Sequence, residues 1–406
     1  PRALASRFSK QFLASHAAQD ARTYVMKTNE PYAWALYNVG VQYSTIAPRE
    51  LLSNADRLRV SGAGGGPFSF GRFVEGEGLS LERNPNYYRK GQDGQPLPYV
   101  DGIDVLYIPD RAARLAAFQS RQLESYTVVN KRELDDLMDP AKYYLVKEPY
   151  FNFMSVIMNI DRAPFNDPRV RRAVARSINH QQFINVVHLG DAKVNGIVHH
   201  DLVDFALPEE ELKSRYLVYN PQEARQLLSS AGYPGGIKTK MVYPAGSGAT
   251  GGGDADQYVP VLIENLRSGG IEVELEPLDI GRYIDRVRRR DYDTALSLNP
   301  QYETPEGPLD WHTSWGYAGD GLSFHIFRDA EVDAAVRRVK RITQSVQELV
   351  QAVRDVQRLI YSKDPSVIPL PSSSSNTVWW NFVKNNPASL GLGRTYLFLA
   401  EWWLDL

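Results

Sequence analysis

Between residues 160 and 300 the sequence switches repeatedly between helical and strand-like hydrophobic patterns, and no other feature limits the fold as strongly. Residues 153–160 are an apolar run without a charge and read as a strand. Asn166-Asp167-Pro168 then supplies a helix start, with proline near the first helical position. Val170, Ala173, Val174 and Ile178 follow at helical spacing. Asn220-Pro221 repeats the start signal for a helix through Leu227 and Leu228, which the Gly232 to Gly236 stretch stops. Strands are expected at 237–243, 271–275 and 294–298, with helices at 258–266 and 280–287 between them. This alternation predicts an α/β lobe rather than a helical bundle or an all-β sandwich.

Outside that region the pattern is mixed. Strands are expected at 22–29, 68–70, 79–83 and 103–108, and a helix at 111–122. The glycines at 62–66 read as a sharp bend into the strand at 68–70. Residues 331–361 are amphipathic, with Val332, Val336, Val339, Ile342, Val346, Leu349, Val353, Val356 and Ile360 as the buried stripe. One break is expected near Thr343-Gln344-Ser345.

At 406 residues the chain is long enough for two or three packed units. A formal net charge of −2 removes the electrostatic footprint of a nucleic-acid binder. Arg286, Arg288, Arg289 and Arg290 are read as a charged helix face. The absence of cysteine excludes thiolate chemistry and disulfides. No apolar run reaches the ~18–20 residues that span a bilayer, and the first residues are no signal peptide, so any targeting sequence is expected to have been removed or to lie upstream.

Enzyme signals are weak. His199-His200-Asp201 lacks a further ligand at metal-site spacing and reads as a surface loop. The glycine runs lack the Lys-Ser/Thr of a phosphate-binding loop, and no Gly-x-Ser-x-Gly element is present. No catalytic residue, metal or cofactor is therefore assigned.

Four ordered elements are more specific. They are Gly65-Gly66-Pro67-Phe68-Ser69-Phe70 with Leu81-Glu82-Arg83-Asn84-Pro85-Asn86-Tyr87-Tyr88; Leu97-Pro98-Tyr99-Val100-Asp101-Gly102-Ile103 with Ile108-Pro109-Asp110; Met158-Asn159-Ile160 with Pro164-Phe165-Asn166-Asp167-Pro168-Arg169-Val170-Arg171-Arg172-Ala173; and Leu227-Leu228-Ser229-Ser230-Ala231-Gly232-Tyr233. In this order they resemble the extracellular solute-binding proteins of peptide-type ABC importers, family 5, over nearly the whole chain. The resemblance implies a periplasmic-binding-protein-like α/β fold of type II, with two lobes joined by hinge strands and ligand enclosed between them. It places the end of a small subdomain at 1–57, lobe one at 58–155, lobe two at 156–367 and a return to lobe one at 368–406. Hinge crossings are expected near 155–159 and 368–375. Relatives carry a further N-terminal stretch, so more of lobe one is expected upstream.

The implied function is capture of a small solute, an oligosaccharide or an oligopeptide, and its delivery to an ABC permease in the membrane. The implied setting is periplasmic or extracellular, as a monomer, with an upstream lipid signal as the route to membrane anchoring. The alternative is a peptide-binding sensor or chaperone-like protein on the same fold. Dipeptide-binding relatives hold the ligand's ammonium with an Asp and its carboxylate with an Arg. Here the Asp position falls on or beside Gln301, with Glu303 two residues on, and the loop after Tyr243 holds no Arg or Lys. Tyr302, Trp311, Trp315, Tyr317, Trp379 and Trp380 supply rings that could stack on sugar faces. Asn159, at the expected crossing, completes the candidate ligand-binding set.

Overall fold

A computed structural model of the chain describes residues 12–40, 65–128, 131–148, 152–245, 255–300, 304–315, 327–385 and 400–405. The chain divides into two units, Pro1–Ser44 with Tyr150–Ser373, and Thr45–Pro149 with Ser374–Leu406.

The first unit is built on a five-stranded sheet in the order Ile271–Leu278, Ile237–Pro244, Thr294–Pro300, Asn152–Met158, Val367–Pro369. Ile237–Pro244 runs parallel to both of its neighbours, and Asn152–Met158 runs antiparallel to both of its own. Ile237, Thr239 and Met241 turn inward while Lys238 and Lys240 turn outward. The parallel register sets Lys238 beside Glu272 and Lys240 beside Glu274, at 2.9 and 3.3 Å. These exposed pairs add less than about 1 kcal/mol each; the apolar inner face holds the sheet.

Local chemistry sets where the helices begin. Asp167 caps Pro168–Ser177 by accepting the Arg169 N–H, with Pro168 in the first turn. Asn220 caps Pro221–Ser230 through the Glu223 N–H, again ahead of a proline. After the second of these helices the chain turns into the Ile237 strand through Gly236, at φ 84°. A Cβ there would meet the Gly270 carbonyl oxygen at 2.3 Å, so only glycine fits.

The amphipathic stretch forms two helices, Ala330–Lys340 and Val346–Ser362, broken where expected. Ser345 caps the second by accepting the Glu348 N–H. Val332, Val336, Val339, Val353, Val356 and Ile360 are buried, each contributing about 1.5–3 kcal/mol. Val346 departs from the expected stripe: it is 75% exposed. It opens the second helix immediately after the cap, where the break has reset the helical phase.

Two buried histidines, His180 and His312, and one half-buried one, His188, sit in this unit. His180 Nε2 donates to the Pro369 carbonyl at 2.9 Å, and His312 Nδ1 donates to that of Pro308 at 2.9 Å. The His188 Nε2 lies 3.1 Å from the Pro371 carbonyl oxygen and 2.9 Å from the Tyr258 hydroxyl. Burial pushes all three from the ordinary 6.5 down to about 4. The unfolded chain therefore binds protons that the folded chain refuses, and stability falls as pH drops from about 6.5 to about 4. Each histidine is expected to cost on the order of 1–3 kcal/mol across that window. Urea midpoints at pH 7 and pH 4.5 should show the loss, and His180→Asn should reduce it. A midpoint independent of pH over this range would contradict it.

The second unit holds two three-stranded antiparallel sheets. Ser375–Trp380 lies between Ser125–Val128 and Tyr143–Glu148, and Gly78–Arg83 lies between Phe68–Val74 and Gly102–Leu106. The Arg111–Gln119 helix, capped by Asp110, packs Phe118 into the first of them.

The units differ from the expected lobe limits at the start of the chain. Residues 12–40 pack with the first unit, not with 65–148. The cause is a set of specific contacts: the Lys340 ammonium lies 5.0 Å from the Phe12 ring centre, the Ala33 N–H donates to the Lys340 carbonyl at 2.7 Å, and Arg341 reaches Glu30. Val367–Pro369 also stays in the first unit's sheet, and the chain enters the second unit at Ser374.

Candidate functional site

Gln301, Tyr302, Glu303 and Tyr317 lie outside the described residues, as does the 246–250 part of the loop after Tyr243. The other candidates fall into three separate settings.

Trp311 and Trp315 belong to one polar cluster in the first unit. Trp311 ends the Glu306–Trp311 helix and is buried. Trp315 is half-buried; its Nε1–H donates to Asp310 Oδ1 at 3.2 Å, and the Arg337 guanidinium lies 4.4 Å from its ring centre. Asp310 Oδ2 takes the Lys340 ammonium at 2.7 Å, and Glu306 Oε1 takes it at 3.1 Å. Glu306 also accepts from the Tyr32 hydroxyl and, at 3.0 Å, from the Asn38 amide. A buried lysine between two carboxylates needs this degree of pairing, because desolvation of either charge alone is costly. Sequence reading missed the cluster. Its signal is present: Val332, Val336 and Lys340 continue one buried ridge at four-residue spacing, and Glu306 and Asp310 share a helix face.

Asn159 follows the Asn152–Met158 strand and is buried. Its amide donates to the carbonyls of Arg290 and Tyr292, both at 3.0 Å, and its Oδ1 accepts the Asp161 N–H at 3.1 Å. These bonds tie the strand to the turn at 290–292.

Trp379 and Trp380 belong to the second unit and, as neighbours on a strand, point to opposite faces. Trp380 packs against Tyr143 and Phe118, with centroids at 4.7 and 5.6 Å, and its Nε1–H donates to the Phe118 carbonyl at 3.1 Å. Trp379 meets Trp402 edge-on at 4.7 Å. Both indoles are about 95% buried inside the unit.

The surface-loop reading of His199-His200-Asp201 is corrected. His199 is fully buried, the two rings stack at 4.2 Å, and ligating atoms of all three residues lie within 4.8 Å of one another. Burial lowers the His200 pKa below its ordinary value, with Asp201 opposing the shift.

Two units, each with its own sheets and each assembled from two separate stretches of chain, define the two-lobed α/β class of binding proteins. The chain belongs to the bacterial extracellular solute-binding proteins, family 5, whose model matches residues 2–320. This is a family of ligand binders, not of enzymes. The glutathione-binding protein GsiB of Pectobacterium atrosepticum is 23% identical over 329 residues, covering 79% of this chain and 60% of the relative. Among solved structures, the periplasmic binding protein DppA of Helicobacter pylori with the peptide STSA matches at TM-score 0.79 and 21% identity, over 100% of this chain and 76% of that one. AgaA from A. tumefaciens R10, in complex with agropinic acid, matches at TM-score 0.78 and 19% identity, over 99% and 80%. Curated relatives are longer: the chain spans 60% and 63% of two that it matches.

Proposed function

We propose that the chain is the ligand-capturing component of an ABC importer, taking a peptide or peptide-like solute outside the cytoplasmic membrane. The family match over residues 2–320 carries this reading. The ligands of these relatives, glutathione, the peptide STSA and agropinic acid, support a small polar solute over an oligosaccharide. Ring use points the same way. Trp380 and Trp379 are spent on packing in their own unit, and Trp315 is held by Asp310 and Arg337. Stacking platforms for a sugar are correspondingly fewer.

Within this proposal Gln301, Tyr302, Glu303 and Tyr317 remain the residues assigned to the ligand, with Glu303 as the anchor for a free amino terminus. A carboxylate suits that role because a desolvated ammonium needs a charged partner. Ligand-driven closure of the two lobes belongs to the same proposal. Among the described residues no helix is long and apolar enough to cross a membrane, and delivery is assigned to a separate permease.

A thermal-shift screen of the mature protein against peptides of two to eight residues, glutathione and oligosaccharides tests the reading. A peptide at a hundredfold excess over its Kd should stabilise the protein by about 2.7 kcal/mol. Glu303→Gln should reduce that gain for peptides with a free amino terminus and leave it unchanged for N-acetylated ones. A shift with oligosaccharides alone would contradict the peptide assignment.

A further inference from the structure

A cavity of about 170 Å³ in the first unit has no part in the ligand reading. Its walls come from the Pro168–Ser177 helix, the Leu212–Tyr216 turn, and the end of the Val346–Ser362 helix with the chain that follows it. Arg171, Arg172, Arg176 and Arg215 all line it, and Asp364 is the one carboxylate among the lining residues. Tyr216 and Tyr361, stacked at 4.7 Å, supply flat wall beside the arginines.

The charges around this cavity do not balance. Arg172 is answered in full: its Nε and Nη2 donate to the two oxygens of Asp364, each at 2.8 Å. Arg176 is answered in part. Its Nε lies 3.0 Å from Glu223 Oε2 without donating to it, and its Nη1 donates to the Tyr216 carbonyl at 3.3 Å. Arg171 is only 8% exposed, yet its guanidinium donates to carbonyls alone, those of Asp364, Phe165 and Asn166 at 2.6, 2.9 and 3.2 Å. Burial holds Arg171 below the usual arginine range; Asp167, which opposes that shift with Asp364, is spent on Arg169. Arg215 is exposed and makes no hydrogen bond or ion pair among the described residues. The Glu211 carboxylate in its field is held by two nitrogens of Arg358, at 2.8 and 2.9 Å. Four guanidiniums are thus set against the carboxylates of Asp364 and Glu223, leaving two positive charges in excess.

Arg172 and Arg176 stand four residues apart on one helix face, a like-charge arrangement that costs stability unless an anion relieves it. A solvated helix face does not account for Arg171, whose charge is held out of water without a carboxylate of its own. Guanidinium forks match the oxygens of a phosphate, and a doubly charged anion cancels the excess. A cavity of this size accepts a group of roughly benzene's bulk, which a phosphate does not exceed. We propose that Arg171, Arg172, Arg176 and Arg215 form a site for a phosphate dianion, either inorganic phosphate or the head of a small phosphomonoester. Bound there, it ties the Pro168–Ser177 helix to the Leu212–Tyr216 turn and to the chain entering the Val367–Pro369 strand. The site lies within one unit and does not depend on which solute the protein captures.

The test uses the full chain in chloride buffer at about pH 8, where phosphate is a dianion, with ionic strength held constant. Inorganic phosphate is the probe, read by calorimetric titration and by melting temperature. Saturable binding of one phosphate per chain is expected. Arg215→Gln should weaken it at least about tenfold and leave the melting temperature in chloride unchanged, because Arg215 makes no bond in the fold. Arg176→Gln should weaken it as much, and if that variant does not fold Arg215→Gln carries the comparison. Arg282→Gln, on a different helix with its side chain 80% exposed, should change nothing. Phosphate also stabilises proteins by exclusion from their surface, and that part is common to wild type and variants. Dimethyl phosphate, a monoanion, should bind at least about tenfold more weakly than phosphate; equal binding overturns the dianion assignment. No saturable phosphate binding in the wild type, or unchanged affinity in Arg215→Gln, overturns the site.

Discussion

Lys340→Met is expected to destabilise the first unit by about 3–5 kcal/mol, the cost of stripping one partner from a buried ion pair. The ammonium and the Asp310 carboxylate are 2.7 Å apart, with side chains 5% and 1% exposed. Removing the lysine leaves Asp310 charged in a site that water does not reach. The same change loosens the 12–40 segment, because Glu306 is shared between Lys340 and the Tyr32 and Asn38 side chains. A second substitution separates charge from packing. In Lys340→Met/Asp310→Leu the Asp310 charge is gone, while Glu306 loses its ammonium and keeps its two neutral donors, so part of the loss should return. Urea unfolding of both variants measures this. A single-variant loss below about 1 kcal/mol would mean that the pair is effectively solvated.

Trp380→Ala is the second large effect, expected to cost about 3–5 kcal/mol in the second unit. The indole fills the space between Phe118, Tyr143 and Phe382, and its Nε1–H satisfies the Phe118 carbonyl. Alanine leaves a cavity and removes one donor from that carbonyl, which keeps the Arg121 N–H at 3.0 Å. Trp380→Phe should cost less, because the ring stack persists and only the hydrogen bond and part of the volume are lost. Unfolding curves of the two variants give the ranking. A Trp380→Ala variant of unchanged stability but weakened ligand affinity would return this residue to the ligand.

Periodicity in the sequence carried most of the first unit. The strands at 237–244, 271–278 and 294–300, the capped helices after Asp167 and Asn220, and the break before Ser345 all follow from local rules that tertiary contacts did not override. Burial was legible where a helix was uninterrupted and failed at Val346, where a new helix starts in a new phase. The placement of residues 12–40 was not legible. It depends on Tyr32 and Asn38 meeting Glu306, contacts spanning more than 260 residues of chain that no local pattern encodes.

The candidate site was less legible than the fold. A tryptophan in a sequence shows that a flat ring exists, not whether it faces ligand or core; Trp380 and Trp379 pack inside their unit. Asn159 likewise has its amide taken up by backbone carbonyls. Neighbouring histidines misled in the opposite direction. On a regular strand or helix His199 and His200 would diverge, but the irregular backbone at 195–201 brings their rings into a stack.

Calorimetric titration of the mature protein with a pool of di- to octapeptides, followed by mass spectrometry of what remains bound, tests the central claim most directly. The expected result is saturable binding of one peptide-like solute per chain. Absence of binding to every peptide and to glutathione, with saturable binding of an oligosaccharide, would contradict it.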